Sequence, residues 1–114
     1  MVKLVVCVKR KAGMDVEEFH DYWRTTHGNL IKSIPSFRKY IRKYTQSHTI
    51  PKAYARDAAP FDGIAELWFD NQEAIDAFLV DPDYLAKVRP DELKFTDFSN
   101  LVWFVTQEEP MIEG

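Results

Sequence analysis

Gly63-Ile64-Ala65-Glu66-Leu67-Trp68-Phe69 has the period of a strand, with Ile64, Glu66 and Trp68 on one face and Ala65, Leu67 and Phe69 on the other. Working outward from it, two similar arms flank the strand. Towards the N-terminus, Val2 to Lys9 is short and β-branched and reads as a first strand. Asp15 followed by Glu18 makes a capping box that opens a helix to about Ser33, where Pro35 stops it. Phe37 to about Gln46 alternates large and polar residues as a second strand. Towards the C-terminus, Asp70 or Asn71 caps a helix through about Val80, Asp81-Pro82 restarts helix as far as Pro90, and Leu101 to Thr106 is the last strand. The order βαββαβ predicts an α+β, ferredoxin-like fold: a four-stranded antiparallel sheet with both helices on one face.

That arrangement leaves one sheet face bare, yet the first and last strands are apolar on both sides, Leu4, Val6 and Val8 against Val5 and Cys7, and Leu101, Trp103 and Val105 against Val102 and Phe104. Strands apolar on both faces are buried on both faces, which implies a second sheet, most simply that of another subunit about a two-fold axis. The expectation is a homodimer formed by sheet-to-sheet packing.

The 114 residues read as a single domain, 1–114, with 107–114 as a C-terminal tail. At 46% hydrophobic and 29% charged, the composition is that of a soluble globular protein, and a net charge of -3 argues against nucleic acid as a partner. Arg38, Lys39, Arg42 and Lys43 lie close together, but a strand divides them between two faces. Cys7 is the single cysteine, so neither an intrachain disulfide nor a thiolate metal cluster forms within the chain. Leu4 to Val8 is too short for a signal-peptide core and no stretch reaches membrane-spanning length. A cytoplasmic protein with no membrane partner is expected. The segment 48–62, with Pro51 and Pro60, exceeds a hairpin's needs and reads as a connection or a binding loop.

Helix one carries the candidate chemistry. Val16, Phe19, Trp23, Leu30 and Ile34 share one side of the helix, and His27 falls among them, an imidazole on an apolar stripe whose pKa burial and a nearby carboxylate or phenol would tune. The structural alternative is a core histidine satisfied by backbone or tyrosine. On the second strand Tyr40, Arg42, Tyr44, Gln46 and His48 share a face. On the third, Glu66 stands beside Trp68, and a buried carboxylate needs a partner, for which His27, Arg42 and the tyrosines are available. His20 and His27 are two turns apart, too far to share a metal ion, and no glycine-rich phosphate loop or nucleophile elbow is present. Neither metal nor cofactor is expected.

Val8-Lys9-Arg10-Lys11, Glu18-Phe19-His20-Asp21-Tyr22-Trp23 with His27 following, Arg38-Lys39-Tyr40, Phe61 to Phe69 and Val102 to Glu109 together resemble the EthD family over nearly the whole chain. The resemblance implies a dimeric α+β barrel with a cavity between helices and sheet. Relatives on that fold handle small, largely apolar, oxygenated molecules; among them are methylmuconolactone isomerases, polyketide cyclases, cofactor-free quinone-forming monooxygenases and, further off, haem binders. His27 and Tyr40 match the helix-one histidine and strand-two tyrosine of the isomerase branch, whereas Glu66 stands where that branch has a cysteine, a departure that counts against that isomerisation.

The resulting expectation is a cofactor-independent enzyme, an EthD-type oxidoreductase or a lyase, isomerase or cyclase, acting on a phenolic, quinonoid, lactone or polyketide-like molecule. His27, Tyr40 and Glu66 are the catalytic candidates, and Trp23, Tyr44, His48, Trp68 and Arg42 the substrate-binding ones. The alternative is a dimer that binds or carries a small apolar molecule for a pathway enzyme.

Overall fold

Strand β1, Val2–Val8, runs down the middle of the sheet, antiparallel to β3, Gly63–Phe69, on one side and to β4, Val102–Thr106, on the other; β2, Ile41–His48, pairs antiparallel with β3 and completes the order β2-β3-β1-β4. This computed structural model describes residues 1–56 and 59–114. The sheet is the ferredoxin-like one expected from the element order. The connection 48–62 carries a short helix of its own, α2, Pro51–Arg56, and residues 57 and 58 of it lie outside the described part.

Helix α1 spans 16–33 as Val16–Tyr22, a wide π-turn Trp23–His27 and Gly28–Ser33. Asp15 caps it by accepting from the backbone N–H of Glu17. Helix α3, Gln72–Leu79, is capped by Asn71, whose side chain accepts from Ala74 N–H. Helix α4 spans 84–95, again a π-turn, Tyr84–Val88, followed by Arg89–Phe95.

The two largest departures from the boundaries read in the sequence each trace to a proline. Pro35 opens a 3-10 turn, Pro35–Lys39, so β2 begins at Ile41 and not at Phe37. Pro90 does not end its helix. It sits just after the π-turn, where its missing N–H and its ring meet a widened turn, and the helix continues to Phe95.

The core fills the space between the sheet and the helices. Leu4, Val8, Ala65, Leu67 and Phe69 face inward from the strands and meet Phe19, Trp23, Ile31, Ile75, Phe78, Val88 and Phe95. The opposite sheet face is uncovered in one chain and carries Val102 at 47% and Phe104 at 48% exposure. No helix is long and apolar enough to cross a membrane among the described residues.

Trp23 packs against the start of β3. A Cβ built on Gly63 would come within 2.6 Å of the indole ring and would also collide with the Ser47 carbonyl oxygen. Both neighbours are fixed, one by the core and one by the sheet. Gly63→Ala is therefore expected to cost about 1–3 kcal/mol, read as a fall in urea midpoint at unchanged slope. A loss of only a few tenths would show that Trp23 is free to move.

Candidate functional site

The two π-turns line one cavity. It has a volume of about 180 Å3 between sheet and helices, with Leu4, Val6, Ala65 and Leu67 as its floor and His27, Tyr44, Tyr84, Arg89 and Glu92 as its polar lining. Trp23, Ile31, Phe78, Val88 and Phe95 make most of the remaining wall apolar. Trp103, 57% exposed, also borders it from edge strand β4.

His27 is 4% exposed. Its Nδ1 is 2.8 Å from Asp91 Oδ2, and the other oxygen of that carboxylate accepts a 2.5 Å bond from the Tyr22 hydroxyl. An acceptor at Nδ1 fixes the proton there and leaves Nε2 as the basic nitrogen. Burial lowers the His27 pKa below its ordinary 6.5, and the bond to Asp91 pulls in the opposite direction. A neutral imidazole, held in one tautomer beside an apolar cavity, is the form that accepts a proton.

Glu92, the next residue on α4, has the complementary property. Burial pushes its carboxyl up to about 7, although Tyr84 donates to it at 3.0 Å and Arg89 lies 4.0 Å away. Arg89 is held between the rings of Tyr84 and Phe98, at 5.3 and 5.4 Å. Tyr44 is a further donor. Its oxygen accepts from Gln46 Nε2 at 2.7 Å, which leaves the hydroxyl proton for another acceptor, and burial raises its pKa to about 12. The cavity thus brings together a base, a carboxylic acid that is partly protonated near neutrality, and a phenolic donor.

Of the residues expected from sequence, His27, Trp23 and Tyr44 line this cavity. The others do not. Glu66 pairs across to Val5 and Thr45 on the open face of the sheet, where it meets Lys3 Nζ at 2.7 Å, so it is not the partner of His27. Its place is taken by Asp91. Trp68 shares that open face, with Lys3 and Lys43 over its ring and its Nε1 donating to Glu108. Tyr40 precedes β2 and donates to Asp81 at 2.9 Å, tying the 3-10 turn to the segment that opens α4. Arg42 occupies the irregularity between Ile41 and Lys43, points to solvent and pairs with Asp70 at 2.9 Å. His48 has the face expected of it, but its ring lies tilted against Trp23, centroids 4.3 Å apart, outside the cavity. The residues missed were Asp91, Glu92, Tyr84 and Arg89. Val88, Asp91, Glu92 and Phe95 follow the helical spacing of an apolar stripe, so a helix read through Pro90 would have shown two carboxylates on a buried face.

The EthD domain model matches residues 11–99. The chain belongs to the EthD domain family. Over 121 aligned positions, 97% of this EthD chain is 25% identical to a conidial pigment biosynthesis dehydratase EthD of Metarhizium robertsii, of which 84% is covered. Among solved structures it is similar to an ethyl tert-butyl ether D (EthD) family protein of Bacillus halodurans, at TM-score 0.70 and 21% identity, covering 96% of this chain and 99% of that one. A dimeric protein of unknown function with a ferredoxin-like fold from Bacteroides fragilis superposes at TM-score 0.69 and 16% identity, covering 94% and 95%. These likenesses support the ferredoxin-like fold.

The Glu92 carboxyl gives a signed prediction. Because its folded pKa is raised from 4.5 to about 7, the fold holds a proton that the unfolded chain releases in that window. Its contribution is full below 4.5 and is lost as pH rises to about 7. Glu92→Gln should therefore gain on the wild type by about 3 kcal/mol between about pH 4 and about pH 8 in urea unfolding. Parallel stability curves for the two proteins would mean that Glu92 is ionised in the cavity at neutral pH.

Proposed function

We propose that this EthD domain is an acid–base enzyme acting on a small, largely apolar, oxygenated molecule, and that the reaction its cavity fits best is elimination of water. The observation that carries this reading is the pairing of His27, basic at Nε2, with Glu92, poised near pH 7, on one apolar cavity. Nε2 of His27 takes a proton from carbon, the electron pair forms the new double bond, and Glu92 gives its proton to the departing hydroxyl, which leaves as water. Return of the proton from His27 to Glu92, directly or through solvent, restores both groups. Tyr44 holds the carbonyl or phenolic oxygen on which charge develops. The name of the Metarhizium relative, a pigment-biosynthesis dehydratase, supports this class of reaction. Oxidation of the same kind of molecule uses the same base and differs in consuming oxygen.

The second reading is carriage of such a molecule, which the mostly apolar lining favours. His27→Gln separates the two. Hydroxylated aromatic ketones and short polyketide mimics are offered with and without oxygen, and loss of 18 mass units is followed. Dehydration should fall at least about 100-fold in the variant while ligand affinity stays. The wild-type rate should also fall above about pH 7 as Glu92 ionises and towards acid as His27 takes up a proton. Affinity lost without turnover in either protein would favour carriage.

We also propose that the open sheet face joins two copies, as the exposed Val102 and Phe104 and the dimeric Bacteroides neighbour suggest. Phe104→Glu should then sediment at half the mass of the wild type. Equal masses for the two proteins would place the contact elsewhere.

A further inference from the structure

A second set of polar groups converges beside the first half of α1, outside the cavity. Four contacts run in series: His48 Nε2 to Gln46 Oε1 at 2.8 Å, His48 Nδ1 to His20 Nδ1 at 2.7 Å, His20 Nε2 to the Tyr54 hydroxyl at 2.9 Å, and that hydroxyl to Asp62 Oδ1 at 2.5 Å. Both ends of the series have a fixed polarity. Gln46 donates from Nε2 to the Trp23 carbonyl at 2.9 Å, and a carbonyl only accepts, so Oε1 is the atom turned to His48. His48 Nε2 must therefore carry a proton. At the other end Tyr54 has one proton and gives it to Asp62, so His20 Nε2 must donate to the phenol oxygen.

Each imidazole has now committed a proton at Nε2, and a neutral ring has only one. The two Nδ1 atoms would then face each other as bare lone pairs at 2.7 Å. The phenol and two neutral rings supply three protons for four contacts. We propose that His20 and His48 hold one shared proton between their Nδ1 atoms, a site for a single exchangeable proton whose counter-charge is Asp62.

The surroundings hold this proton weakly and refuse a second. Arg10 gives Asp62 its guanidinium at 2.7 Å and its backbone N–H at 2.8 Å. Burial pushes the Asp62 carboxyl up, but the bonds from Tyr54 and Arg10 outweigh it and hold it below its ordinary value. Burial, the largest effect, outweighs the pull of Asp62 and, with Arg24 on α1 and Arg10, keeps His20 below its ordinary 6.5; Asp15, Glu17, Glu18 and Asp21 edge the same groove. Once His20 is charged, burial and that charge bring His48 down to about 4. A metal ion would meet two nitrogens only, and among the described residues no group of three or more His, Cys, Asp or Glu is arranged to hold one. When the proton leaves, the Tyr54 hydrogen has both His20 and Asp62 to serve, and α2, which carries Tyr54, loses one of its ties to the body. The cavity end stays as it is, because Trp23 fixes Gln46.

The test does not depend on the proposed reaction. The chain has 3 histidines, which keeps ring-nitrogen NMR readable. The chelator-treated 114-residue chain is titrated from about pH 8 to about pH 5 and the ring nitrogens are followed. His20 and His48 should move together at one midpoint, apart from His27. Tyr54→Phe removes the acceptor at His20 Nε2 and should lower that midpoint by about one unit, tenfold in proton affinity. His48→Gln should leave His20 titrating alone at a different midpoint. Separate midpoints for the two rings, a joint midpoint that Tyr54→Phe leaves in place or raises, or the absence of any proton uptake over the range would each overturn the proposal.

Discussion

A carboxylate taken out of water must be given partners or it unfolds what surrounds it, and Asp91 has two, the His27 imidazole and the Tyr22 hydroxyl. Both come from α1. The single buried side chain therefore clamps α4 onto α1 across the top of the sheet, and removing one member of such a pair costs about 3–5 kcal/mol. Because consecutive helical residues point about 100° apart, fixing Asp91 towards α1 turns Glu92 towards the cavity. The positions of the His27 imidazole and the Glu92 carboxyl are consequences of one constraint.

The π-turns make that constraint reachable. Each inserts a wider turn at the point where a helix passes the cavity, Trp23–His27 in α1 and Tyr84–Val88 in α4, and each turn contributes lining side chains. In α4 the wide turn also accommodates Pro90 and lets the helix run on to Asp91, Glu92 and Phe95. Trp23 then serves two neighbourhoods. Its ring separates the cavity from the His48 imidazole while resting on Gly63, and its carbonyl fixes Gln46, whose amide turns the Tyr44 proton away from itself.

The two faces of the sheet divide the polar residues by chemistry. On the helix side, burial raises the Glu92 carboxyl and lowers the His27 imidazole, shifts in opposite directions that both favour the uncharged form. On the open side, Glu66 sits against Lys3 and among the rings and alkyl stems that a second sheet would cover. A carboxylate on that side belongs to the open face and not to the cavity.

Much of this was legible in the order of residues. The period-2 strand at Gly63–Phe69, the caps at Asp15 and Asn71 and the doubly apolar first and last strands determine a ferredoxin-like sheet with one face left open, because periodicity and capping are local. The phase of α1 likewise places His27 inside. What the order of residues left open was which face of β3 meets α1, since alternation defines two faces without saying which is buried, and so Glu66 stood as a partner for His27 while Asp91, beyond Pro90, was not in view. The tertiary structure decided it: Ala65, Leu67 and Phe69 pack against the helices, which sends Glu66 to the other side, and the π-turn carries α4 past Pro90 to bring Asp91 within 2.8 Å of His27. Contacts between residues 64 positions apart depend on how whole elements dock, and no local pattern contains that.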